Sequence, residues 1–193
     1  MEQLRMIHTF DKIPEYTLAE GFSIRFFKPD NGDEDAWIAL CKNGLLEAND
    51  GIEQWKATIL DMVGLEPQRD TFFVCDSNGV PVATTTAFFM DNETPLIHMV
   101  AANPAVKGKG LGLSMTLYAL HKLKSEMGDR KMLGRLKSDD WRLPAVLCYL
   151  RAGFQPVLFD VGMEERWRAI CEKLNFHGVE MLDMDGNPTG IVL

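Results

Sequence analysis

The chain of 193 residues contains no apolar run near the roughly eighteen residues that a membrane-crossing helix needs. Residues 1–20 are mixed and acidic, without the apolar stretch of a secretion signal. A cytoplasmic protein with no membrane partner is the expectation. Cysteine is scarce, with four residues at 41, 75, 148 and 171. Their spacing suits neither a disulfide framework nor a pair of metal ligands. Reduced core thiols and no bound metal follow. The net charge of −8 argues against a general nucleic-acid binder. There is no internal repeat and no low-complexity segment. No G-x-x-x-x-G-K-[ST] string is present, which excludes a Walker A loop. A G-x-G-x-x-G fingerprint fails too, because Leu113 stands where the third glycine belongs.

What is present suffices for one domain, 1–193, with a substantial core. Apolar residues make up 46% and charged residues 25%, ordinary for a globular protein. The most informative stretch runs from Ile97 to Met127. Ile97 to Ala101 reads as a short buried strand, and Asn103-Pro104 stops it. Gly108, Gly110 and Gly112 follow, and then Leu113, Leu117, Leu120, Leu123 and Met127 recur at helical spacing. Glycine lets backbone N–H groups approach a ligand closely, and the first N–H groups of a helix lack intrahelical partners. An anion suits that place, with Lys107 and Lys109 beside it. Residues 101–137 hold eight basic residues against two acidic ones, while the rest of the chain is strongly acidic. A polyanionic ligand fits this asymmetry. Lys122 and Lys124 are explained by a solvated helix face alone.

Residues 22–27 read as a strand, and residues 33–44 and 50–64 as helices. Trp37 and Trp55 fall on the apolar stripes of those helices, where core packing is the simpler role. Residues 71–76, 80–90 and 95–101 read as three strands joined by short turns, an antiparallel meander. A strand is expected over 132–137, a helix from about 142 to 152, a strand over 154–159 and a helix over 164–174. Strand–helix alternation there predicts parallel neighbours in the second half of the sheet. Residues 178–193 suggest a terminal hairpin, with Asp185-Gly186-Asn187 as its turn. Residues 1–20 show no clear periodicity.

Two motifs stand in order. The first is basic-x-x-G-x-G, formed by Lys107, Gly110 and Gly112. The second is Ala145-Val146, Tyr149, and Gly153-Phe154 in one helix and the turn after it. Together they resemble the GNAT superfamily of N-acyltransferases, over roughly residues 22–160. Lys107 stands where that family usually has Arg or Gln. Arg142 replaces the usual Asn three residues before Ala145. The resemblance implies an α/β (α+β) fold: a mixed central sheet with an antiparallel N-terminal meander and a parallel C-terminal part, flanked by helices. Residues 161–193 would be an extension of that domain.

The resemblance also implies acetyl-coenzyme A as co-substrate and an amine as the second partner. Its pyrophosphate would lie on Lys107, Gly108, Lys109, Gly110, Leu111 and Gly112. The backbone of Val100 and its neighbour Ala101 would meet the thioester where the family's strand splays at a bulge. Asp139, or else its neighbour Asp140, is a candidate to contact the pantetheine arm in place of the missing Asn. Tyr149 would protonate the leaving thiolate. His98, whose ordinary pKa lies near neutrality, would act as base directly or through a water. A lone histidine on a strand can equally be a satisfied core residue. The implied function is an N-acetyltransferase acting on a primary amine. The alternative is a non-catalytic acyl-CoA sensor or scaffold. The acidic remainder of the chain is compatible with a cationic acceptor, such as an amino acid, a polyamine, an aminoglycoside or a protein lysine. The C-terminal segment is a candidate for pairing in a homodimer.

Overall fold

Side-chain geometry in two tight turns sets the first half of the sheet. Asp76 Oδ1 accepts from the backbone N–H of Asn78 at 2.9 Å and of Val80 at 3.0 Å, and Gly79 takes a positive φ. Asp91 and Asn92 both adopt the left-handed conformation that a two-residue hairpin turn favours. The computed structural model describes residues 2–193. It begins with β1 (Leu4–His8), β2 (Ser23–Phe26), α1 (Asp33–Cys41) and α2 (Ile52–Trp55), which continues as a π-helical turn (Lys56–Leu60). Then come α3 (Pro67–Asp70), β3 (Thr71–Cys75), β4 (Pro81–Met90), β5 (Thr94–Ala102) and a 3-10 turn (Pro104–Val106). The second half holds α4 (Leu111–Met127), β6 (Gly134–Ser138), α5 (Leu143–Arg151), β7 (Gln155–Pro156) and α6 (Met163–Leu174). It closes with β8 (Glu180–Leu182) and β9 (Pro188–Val192).

The main sheet has the order β2-β3-β4-β5-β6-β1-β7, and β8-β9 form a separate hairpin. The meander from β2 to β5 is antiparallel, as its turns predict. β5 and β6 are parallel, joined through Leu96 and Arg135. β6 and β7 run in the same direction, but β1 lies between them and is antiparallel to both. This strand lies within residues 1–20, where the sequence shows no clear periodicity. Its burial does not alternate, because Leu4, Met6, Ile7 and His8 are all covered. With Arg5 and His8 inside only five residues, it offers neither the alternation nor the unbroken apolar run that marks a strand. The strand expected over 154–159 shrinks to two residues. Pro156 has no N–H for a ladder, and beyond it a single bridge joins Val157 to Leu182 of the hairpin.

The sheet buries a core on each face. On one, α4, α5 and α6 cover Met6, Ile97 and Leu136 with Met115, Leu120 and Trp167. On the other, α1 and the π-helical turn cover Phe73 and Phe88. Trp37 and Trp55 belong to this second core: Trp55 stacks on Phe27 at 5.0 Å and meets Trp37 edge-on at 5.1 Å. Lys122 departs from the solvated role its sequence suggests. Its ammonium lies 3.0 Å from buried Asp70 and donates to the Ala87 carbonyl. Among the described residues no helix is long and apolar enough to cross a membrane.

His8 fastens β1 to the turn after α5. Its Nδ1 accepts from the Phe10 backbone N–H at 2.9 Å, and a Cβ added at Gly153 would sit 3.0 Å from Nε2. Burial lowers its pKa to about 4, although a hydrogen bond to the Ala152 backbone pushes the other way. The unfolded chain, near the ordinary 6.5, therefore binds this proton first, and stability is lost as pH falls from 6.5 toward 4. His98, also lowered by burial, adds to the same slope. Urea unfolding at pH 6.5 and pH 5, above most carboxylate titrations, should show this loss. His8→Gln should be less stable at pH 7 yet show a flatter slope.

Candidate active site

The site begins at an irregularity in β5. Thr84 pairs with Ala101 and Thr86 with His98, so Met99 and Val100 together oppose Thr85. This is a β-bulge, and Met99 carries its strain with a φ of 53°. A non-glycine residue held there costs about 1–3 kcal/mol. On the opposite edge of β5 the register with β6 consists of the single pair Leu96 and Arg135. Past that pair the two strands diverge, and a cavity of about 670 Å³ opens.

The cavity brings His98, Val100, Tyr149 and Asp139 together, with Met99 from the bulge and Ala145 from α5. It does not include Lys107, Gly108, Lys109, Gly110, Leu111 or Gly112, whose loop lies farther along at the head of α4. Ala101 packs its side chain into the core beneath α1, leaving its backbone as the part able to face a ligand.

Tyr149 is buried. Desolvation raises its pKa well above the ordinary phenol value, so it stays protonated. His98 lies edge-on to Phe88. Its Nε2 is buried without a hydrogen-bond partner. Burial lowers its pKa, and a hydrogen bond to the Thr58 backbone pushes back. Thr58 belongs to the π-helical turn, whose wider winding is frequent at functional sites. The ring is neutral at pH 7, and its buried Nε2 has no partner in the protein. Asp139 is already paired: Arg142 Nε donates to its Oδ2 at 2.8 Å, and Gln3 donates to its Oδ1 at 3.2 Å. Arg142 also stacks over Trp141. Sequence reasoning missed Arg5 and Gln3, because nothing in residues 1–20 announces a strand, let alone one that lines a site.

The glycine loop leads into α4 with two glycines of positive φ and open space around them. Asn103 caps the 3-10 turn, accepting from the Ala105 N–H at 2.9 Å. Gly108 and Gly110 have φ values of 84° and 74°, and a Cβ at either would meet nothing within 4 Å. The first backbone bond of α4 runs from Ser114 to the Gly110 carbonyl at 3.1 Å. The N–H groups of Leu111, Gly112 and Leu113 precede it and lack an intrahelical acceptor. Gly112 serves packing instead. A Cβ there would lie 3.3 Å from Cys148 Sγ, so its absence lets α4 and α5 approach. Open space before N–H donors that lack an intrahelical acceptor fits a pyrophosphate.

The profile of the acetyltransferase (GNAT) family matches residues 34–154, and the chain belongs to that family, which uses acetyl-coenzyme A as co-substrate. Among curated proteins, the mycothiol acetyltransferase of Thermomonospora curvata is 30% identical over 153 residues, 77% of this chain and 49% of the relative. That of Streptomyces bingchenggensis is 33% identical over 147 residues, 74% of this chain and 46% of the relative. The chain thus spans about half the length of the curated relatives it matches. A GCN5-related N-acetyltransferase from Sphaerobacter thermophilus superposes with a TM-score of 0.61 at 19% identity, covering 80% of this chain and 48% of that one. A tandem GNAT protein from the clavulanic acid biosynthesis pathway does so with a TM-score of 0.57 at 14% identity, covering 80% and 50%. These two likenesses are of fold.

Gly110→Val tests the cradle. A side chain forced into the left-handed region costs about 1–2 kcal/mol of stability, and it fills the space before the N–H groups. Acetyl-CoA affinity by calorimetry should fall about tenfold or more as the charge-assisted bonds are lost. Gly21→Val, at a φ of 83° with equally open surroundings, should lose stability and keep its affinity.

Proposed function

We propose that this chain is an N-acetyltransferase, moving the acetyl group of acetyl-CoA to a primary amine by direct attack on the thioester. The observation that carries the reading is that His98 and Tyr149, with opposite proton-transfer aptitudes, line one cavity at the splay of β5 and β6. Family membership and relatives named as acetyltransferases support acetyl transfer. We read the whole described chain as one acetyltransferase unit. The β8-β9 hairpin is an extension that contributes Met184 to the cavity lining.

Each step falls to a group of this chain. The glycine loop holds the pyrophosphate and fixes the reach of the pantetheine arm, so the reaction becomes effectively unimolecular. The acceptor must lose a proton before its nitrogen can attack. His98 is neutral and its Nε2 has no partner in the protein, and it takes that proton directly or through a water. The nitrogen forms a bond to the carbonyl carbon, and the carbonyl electron pair moves onto oxygen. Backbone N–H groups at the Val100 bulge, released from regular pairing, hold that oxyanion. As the oxyanion collapses, the carbon–sulfur bond breaks, and the nitrogen sheds its remaining extra proton to water, which in turn restores the Tyr149 hydroxyl after its donation. Tyr149, kept protonated by burial, donates to the departing sulfur.

Tyr149→Phe should lower kcat about 100-fold, the lower range for loss of a general acid, with acetyl-CoA affinity nearly intact. An unchanged kcat would remove Tyr149 from the mechanism. His98→Gln should be slow at pH 7 and recover toward wild type as pH approaches the acceptor's own pKa. There the free amine is already neutral and needs no base. Thioester consumption that no amine accelerates, in the wild-type protein, would overturn amine acetylation and leave a binding module.

A further inference from the structure

The floor of the cavity changes character from one side to the other. Beneath α1 and the π-helical turn it is lined by Leu45, Met62 and Met90. Toward the β8-β9 hairpin it is lined by Arg5, Arg135 and Lys137. These three cations share one face of two neighbouring strands. Arg5 is the cross-strand partner of Lys137, and Arg135 pairs with Ile7 two residues along. Like charges placed directly opposite one another destabilise a sheet, so the arrangement works against folding.

Protein groups leave much of that charge unanswered. Arg5 pairs with Glu2 at its outer end and lies over the Phe159 ring, yet its Nε is buried with no hydrogen-bond partner. Arg135 donates to the Met184 carbonyl at 3.0 Å, which ties it to the hairpin. Among the described residues neither Arg135 nor Lys137 has a carboxylate partner. Among the described residues the one carboxylate lining the cavity, Asp139, is occupied by Arg142. The cofactor's pyrophosphate does not answer this charge, because the glycine loop that would receive it lies outside the cavity.

We infer that the amine acceptor carries an oxyanion, a carboxylate or a phosphate, held by Arg135, Lys137 and Arg5 while its apolar portion lies against Met62 and Met90. This rests on the acetyl-transfer reading and specifies its substrate class. Of the acceptors compatible with the acidic remainder of the chain, it favours one that also bears an anionic group, such as an amino acid, over a polyamine or an aminoglycoside. Guanidinium forks and an ammonium on one strand face suit a bidentate oxyanion.

Two matched pairs of amines test it: L-methionine against L-methioninamide, and glucosamine 6-phosphate against glucosamine. The anionic member of at least one pair should show kcat/KM higher by on the order of tenfold, and which pair does so distinguishes carboxylate from phosphate. Arg135→Gln and Lys137→Gln should each raise KM for that anionic member more than for its neutral twin and leave KM for acetyl-CoA in place. Lys173→Gln, on α6 and away from the cavity, serves as the control for charge alone. Equal or better use of the neutral member in both pairs overturns the proposal, as does a rise in KM for acetyl-CoA in the two cavity variants. If no amine is acetylated, the acetyl-transfer reading fails by itself. Calorimetry with N-acetyl-L-methionine and N-acetylglucosamine 6-phosphate then decides the anion site. Binding that Arg135→Gln weakens sustains it, and no binding of either compound overturns it.

Discussion

The site depends on how little joins β5 to β6. One register pair, Leu96 with Arg135, holds the two strands together, and the bulge at Met99 turns the rest of β5 away. Neither feature is a defect of packing. β5 is secured on its other edge by a long antiparallel register with β4, and β6 is secured by all five residues of β1. The two halves of the sheet are each firmly built, so the seam between them can stay open. The strain at Met99 persists because both flanks of the bulge are fixed by those ladders.

The electrostatics follow the same division. Net charge of −8 describes the chain and not its cavity. Acidic residues lie largely on outer turns and helix faces or are neutralised in place, as Asp70 is by Lys122 and Arg69. Arg5 on β1 with Arg135 and Lys137 on β6, and Lys107 with Lys109 on the glycine loop, form two local cationic regions. An oxyanion near the acceptor end and a pyrophosphate near the head of α4 would then occupy separate positive regions, with the neutral His98 and the protonated Tyr149 between them. The neutrality of His98 comes from its burial, which leaves the ring free to begin as a base.

Much of this was legible in the sequence where local chemistry decides structure. The Asn78-Gly79 turn, the glycine loop and the leucine spacing of α4 are local signals, and each element falls where they put it. Tyr149 and His98 were found through motif register and strand position, and they do share a cavity. What could not be read was decided at long range. β1 is covered on both faces, so its five residues show no alternation, and its partners lie far along the chain. Lys122 looks like any solvated helix lysine until Asp70 is brought to it. The cationic floor was hidden for the same reason. Arg5, Arg135 and Lys137 form a group only once β1 is laid beside β6.

The place of β1 has a consequence for how the sheet comes together. Leu4 pairs with Ser138, so closing this part of the sheet joins segments about 130 residues apart, a separation whose loop entropy must be met before any contact repays it. The meander, by contrast, joins neighbours. During synthesis residues 4–8 therefore leave the ribosome long before their partners exist. They stay without a sheet until β6 and β7 emerge. The half of the sheet that carries the cationic floor is the last to be completed.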